Sequence, residues 1–159
     1  MILIDENRLD QLSREAQQSD RLRKNFNFHH GNADVLQRML NAFEPGTYVR
    51  PHRHTTPPKR AVFIVLKGKV AMLFFDNQGA IVHHVVLDAQ QGVYGVEVEA
   101  GEWHSVVSLQ SGSVVYELKD GPYEPLSDKD FAPWAPAEGG DGCAAYLAEI
   151  IAICRLDVV

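Results

Sequence analysis

A chain of 159 residues is long enough for one domain with a real core, and its formal charge of −6 argues against a nucleic-acid partner. Each apolar run is broken by Arg, Lys, His or Asp before it reaches the length of a membrane span. Met1–Glu6 lacks the basic and apolar regions of a secretory signal, and Cys143 and Cys154 give no disulfide framework, so the expectation is a cytoplasmic protein.

Charge is unevenly spread. Residues 1–80 hold twelve Lys/Arg against eight Asp/Glu, whereas residues 81–159 hold three against thirteen. The early basic cluster of Arg21, Arg23, Lys24, Arg50, Arg53, Lys59 and Arg60 offers attraction to a small anion, although a solvated face accounts for most of it.

In chain order, Asp5 is a natural N-cap for a helix to about Gln18, with Leu9, Leu12 and Ala16 at helical spacing. Asn25, Phe26, Asn27 and Phe28 alternate polar and apolar, as an edge strand or extended arm does. Gln37 to Phe43 reads as a strand ended by Glu44-Pro45-Gly46. Strand-forming runs follow over Ala61–Leu66, Lys69–Phe75, Ile81–Leu87, Val93–Glu99, Trp103–Leu109 and Ser113–Lys119, each bounded by a turn. Many short strands at roughly 8–12 residue spacing predict an all-β sandwich or barrel. Beyond Asp120, the segments Gly121-Pro122-Tyr123-Glu124-Pro125 and Phe131-Ala132-Pro133-Trp134-Ala135-Pro136 predict a long loop pinned by aromatics and lying over the barrel mouth. Cys143–Cys154 predicts a C-terminal helix, with a strand as the alternative. Residues 1–159 thus form a single domain: helix and arm (1–36), barrel (37–120) and an extension packing on it (121–159).

Within Gly46–His54, His52 and His54 lie two residues apart after Pro51, so an extended backbone points both the same way. His104, after Gly101 and Trp103, faces the same interior if Val106 and Ser108 do. Three neutral imidazoles make a first coordination shell for a late first-row divalent metal, at about 2.0–2.1 Å per Zn–N bond. His83-His84 and His29-His30 are adjacent pairs, whose members point to opposite faces, and are read as surface or supporting residues.

Gly46-x5-His52-x-His54 and Gly101-x2-His104 are similar to the two cupin motifs. Further stretches resemble the WbuC-type cupin metalloproteins found with bacterial polysaccharide (O-antigen) clusters. They are Arg23-Lys24-Asn25, Pro51–His54, Tyr94-Gly95-Val96-Glu97, Trp103-His104, Tyr116-Glu117-x-Lys119-x-Gly121-Pro122-Tyr123 and Asp130–Trp134. The resemblance implies a cupin-type double-stranded β-helix, a jelly-roll barrel carrying a divalent metal, and a homodimer, with no firmly assigned reaction. The pattern does not discriminate among Zn, Fe, Ni and Mn. It departs from the cupin motif at Ala61, where the usual glutamate ligand would stand. The fourth position then falls to water, to substrate or to a carboxylate, with Glu97 and Glu117 the candidates.

Such an open site serves an enzyme, including a three-histidine Fe(II) dioxygenase-like one, or a non-catalytic metal-dependent sensor or binding module. The ligand expected is small and anionic or sugar-derived, with no nucleic acid and no membrane. Arg50, Lys119 and one of Arg38 or Asn41 are candidate anchors, Arg38 being preferred because its face of the strand is otherwise apolar. Tyr48, Tyr116 and Trp134 are candidate cavity walls. No residue is assigned a catalytic role.

Overall fold

The computed structural model describes residues 1–124 and 129–159. The first helix, α1 (Glu6–Gln17), is capped by the Asp5 carboxylate, which accepts from the Arg8 N–H at 3.0 Å and so satisfies a donor with no intrahelical partner. The strands follow as β1 (Arg23–Asn27), β2 (Leu36–Phe43), β3 (His52–Arg53), β4 (Ala61–Lys67), β5 (Val70–Phe75), β6 (Ile81–Leu87), β7 (Gly95–Val98), β8 (Trp103–Ser108), β9 (Ser113–Asp120) and β10 (Asp130–Phe131), and then helix α2 (Cys143–Cys154).

They make two five-stranded antiparallel sheets, ordered β1-β2-β9-β4-β7 and β10-β3-β8-β5-β6, in a cupin-type jelly roll. Between the sheets lies an inner core that includes Phe63, Val65, Met72, Val106 and Val115. The outer face of the first sheet buries Leu40, Ala42 and Val114 under Leu9, Leu12 and Ala16 of α1. The outer face of the second buries Leu73, Phe75, Trp103 and Val107 under Leu147 and Ile150 of α2. Because β5 and β8 are covered on both sides, they read as nearly continuous apolar or fully buried runs rather than as alternating ones.

The proline-containing extension behaves partly as expected. It contributes β10, which pairs with β3 at the sheet edge, Asp130 opposite Arg53 and Phe131 opposite His52. An edge is where strand pairing survives beside prolines, and it is a short strand where a loop was expected. Ala132, Trp134 and Ala135 then pack on the outer face of the second sheet rather than across the barrel mouth. Pro125, the last residue of the preceding segment, lies outside the described residues. Over Cys143–Cys154 the structure has the helix, not the strand. Among the described residues no helix is long and apolar enough to cross a membrane.

Candidate metal centre

Two tight corners deliver the histidines. Gly46 (φ +89°) and Gly101 (φ +83°) both adopt the left-handed backbone region, which glycine enters without a Cβ penalty. The second corner is tied to the first segment directly, since the Gly101 N–H donates to the His54 carbonyl at 3.1 Å. β3 and β8 then run antiparallel with His52 opposite His104. The ring centroids lie 4.5 Å apart for His52 and His104, 5.3 Å for His52 and His54, and 5.7 Å for His54 and His104. All three side chains are buried, and one ring nitrogen from each lies within 4.8 Å of the others.

Hydrogen bonds settle which nitrogens face inward. Nδ1 of His52 is 3.0 Å from the Arg50 carbonyl and Nδ1 of His104 is 2.9 Å from the Glu102 carbonyl. A carbonyl only accepts, so both Nδ1 atoms carry the proton and both Nε2 atoms present lone pairs. Nε2 of His104 is buried without a hydrogen-bond partner, a costly state for an imidazole among other imidazoles. Burial holds the pKa of His52 well below the ordinary histidine value, helped by the neighbouring Lys129, His104 and His54. It likewise pushes that of His104 down to about 3, against the opposing pull of the Glu102 carbonyl. Three neutral imidazoles, at least one with an orphaned lone pair, are the donor set a divalent late first-row metal takes. The residues fit the ion.

His52 and His104 stand at one wall of a cavity of about 820 Å³ between the sheets. Phe63, Met72, Val106 and Phe131 supply apolar lining. Asn41, Glu117 and Lys119 line the facing wall, and the Asn41 amide donates to the Glu117 carboxylate at 2.7 Å. Lys119 is buried, with its ammonium 5.4 Å from the centroid of the Tyr123 ring. Ala61 is buried in the inner core opposite Lys119, so a methyl occupies the position of the usual carboxylate.

Several expected cavity residues are elsewhere. Arg38 lies on the other face of β2, donating to the Phe28 carbonyl at 3.1 Å. Gln37, Met39, Asn41 and Phe43 form the inward face, so the choice of Arg38 over Asn41 is reversed. Tyr116 packs edge-on against Phe28 beneath α1. Tyr48 donates to the Pro136 carbonyl and meets Tyr146. Trp134 lies against Phe75 and Trp103 on the outer face of the second sheet. Arg50 donates to the Ala132 carbonyl at 2.7 Å, anchoring the extension rather than lining the cavity. Glu97 is exposed on β7. His83 and His84 are exposed on the edge strand β6, whereas His29 reaches the cavity mouth.

Residues that sequence reasoning passed over complete the mouth. Asn25 and Asn27 come from β1, and Lys129, Phe131 and Glu138 from the extension. The Glu138 carboxylate takes one guanidinium nitrogen from Arg21 and one from Arg23, both at 2.6 Å. Burial opposes its charge, but the two arginines outweigh it and hold Glu138 below the usual carboxylate range. The polar/apolar alternation of 25–28 was the available signal, since it marks a strand with one face reserved for polar contact.

A family model described as "Domain of unknown function (DUF6016)" matches residues 4–87. No curated protein matches. Among solved structures, the capsular polysaccharide assembling protein CapF from Staphylococcus aureus is similar at 23% identity and a TM-score of 0.59, over 71% of this chain and 30% of that one. L-ribose isomerase from Cellulomonas parahominis, solved with L-ribose, is similar at 15% identity and a TM-score of 0.58, over 74% of this chain and 72% of that one. The chain spans about a third of the length of the CapF chains it matches. These likenesses concern the fold.

Proposed function

The chain belongs to the DUF6016 family, and from that premise and the geometry of its centre we propose that it is a metal-binding cupin that binds or transforms a small anionic or sugar-derived ligand. The observation that carries this reading is the convergence of His52, His54 and His104 beside an 820 Å³ cavity, with Nε2 of His104 buried and unpartnered. His52, His54 and His104 would hold a divalent ion and leave positions open. A bound ion of this kind supplies Lewis acidity toward a chelating oxygen of the ligand.

The protein's own groups do the rest. The carbonyls of Arg50 and Glu102 fix the tautomers of His52 and His104, and Phe63, Met72 and Phe131 give the cavity beside them an apolar lining. Asn41 orients Glu117, whose carboxylate faces the same cavity and is able to accept or release a proton there. The resemblance to WbuC-type proteins and the likeness to the capsular polysaccharide assembling protein CapF support a role in polysaccharide assembly. The same resemblance implies a homodimer, and the sequence composition a cytoplasmic location.

The test is elemental analysis of protein purified without chelator or nickel resin, beside the double variant His52→Ala, His104→Ala. About one divalent ion per chain in the wild type, and only background metal in a folded double variant, is expected. Equal metal in both places the binding elsewhere.

A further inference from the structure

Both faces of a jelly-roll interior are ordinarily apolar, because an inward polar group costs free energy unless something satisfies it. The inner face of the first sheet turns polar along one margin, with Asn25 and Asn27 exposed at the mouth and Asn41, Glu117 and Lys119 progressively deeper. Asn25 of β1 stands opposite Asn41 of β2, and Asn27 stands opposite Met39, which in turn stands opposite Glu117 of β9. Lys119 follows two residues along, opposite Gln37. Asn25 donates to Asn27 at 2.7 Å and Asn41 donates to Glu117 at 2.7 Å, so these groups are pre-oriented in pairs. Asn25, Asn27, Asn41, Glu117 and Lys119 all line the cavity that holds His52 and His104. The apolar partners of the strand, Phe26 and Phe28, turn away to α1 and the outer cluster.

Two properties of this margin define a ligand. Carboxamides both donate and accept, which is what a run of hydroxyl groups needs and a simple anion does not. In addition, the cavity is lined by five Lys/Arg against two Glu, in a chain whose net charge is −6. Arg21 and Arg23 share Glu138, and the remaining excess of positive charge along a low-dielectric wall concentrates an anionic ligand.

We propose that the cavity binds a polyhydroxylated small anion, a sugar bearing a carboxylate or phosphate, with its hydroxyls read by Asn25, Asn27 and Asn41 and its charge drawn toward Lys119. This deepens the reading of the cavity as the ligand site and rests on it. The carboxylate and phosphate forms share this chemistry, and the experiment separates them.

The experiment is calorimetric titration of the protein as purified, its metal content measured on the same sample, with D-glucuronate, glucose 6-phosphate, D-glucose, acetate and inorganic phosphate. At least one sugar anion binds roughly tenfold or more tighter than glucose and than its hydroxyl-free counterpart, and the better of the two identifies the anionic group. Asn25→Ala with Asn27→Ala, both exposed at the mouth, weakens the sugar anion roughly tenfold and leaves acetate or inorganic phosphate unchanged. Lys119→Met removes the advantage of the sugar anion over glucose. If that variant does not fold, raising salt from about 50 to about 500 mM weakens the sugar anion but not glucose in the wild type.

Acetate or phosphate binding as tightly as the sugar anions, glucose binding as tightly, or no binding at all overturns the proposal. A metal-free sample that still prefers sugar anions keeps it and removes the metal reading. A metal-loaded sample without that preference does the opposite.

Discussion

The cavity has two unlike walls. One, from β3 and β8, presents His52 and His104, each held by a backbone carbonyl that fixes its tautomer, with His54 beside them. The other, from β1, β2 and β9, is a set of amides, a carboxylate and a lysine, in which Asn25 pairs with Asn27 and Asn41 with Glu117 through their side chains. Groups fixed by backbone suit a centre that must keep one geometry. Groups fixed by one another suit recognition, where an exchange of partners with a ligand costs little. The outer faces of the same sheets are mainly apolar and pack against α1 and α2.

The largest effect should come from those outer faces. Leu40→Ala, fully buried beneath α1, should lose about 2–5 kcal/mol by denaturant unfolding while metal content stays at the wild-type level. A parallel fall in metal would mean that the two layers are not separable. Next, stripping the metal with a chelator should lower thermal stability, and restoring it at about 100 times its Kd should return about 2.7 kcal/mol. The double histidine variant should show no such response.

Acid gives a smaller change per step. Because His52 and His104 have native pKa values below that of an unfolded histidine, the unfolded chain takes up protons first as pH falls below about 6.5. Stability of the metal-free protein is therefore complete above that pH. It falls toward pH 3 by at most about 1.4 kcal/mol per pH unit for each histidine. Flat stability between pH 6.5 and pH 4 in the metal-free protein would contradict their burial, provided the double variant is measured beside it. The smallest effect belongs to the clasp at the mouth. Glu138→Gln, partly exposed with Arg21, should cost about 0.5–1 kcal/mol in a salt-dependent way, leaving metal binding intact.

The imidazole wall was legible in the sequence because its signals are local. Period two fixes the common face of His52 and His54, and a Gly-led corner marks His104. The amide wall was much less so. On β2 both faces are buried, one under α1 and one in the cavity, so alternation alone does not say which of Arg38 and Asn41 points inward. An arginine whose guanidinium reaches a backbone carbonyl is satisfied on the helix side, and that partner, Phe28, lies on a different segment. Trp134 and Tyr48 were misplaced for a related reason: the extension packs outside the second sheet, a choice made by long-range contact with α2 and not by its own pattern. The eight longer strands were legible because turn residues punctuate them, whereas two-residue β3 and β10 are too short to carry a period.

X-ray absorption at the edge of the co-purified metal tests the central claim most directly. Three imidazoles predict a nitrogen/oxygen shell at about 2.0–2.1 Å with outer-shell imidazole scattering, lost in the His52→Ala, His104→Ala protein. A sulfur shell near about 2.3 Å, or the same spectrum from both proteins, would contradict it.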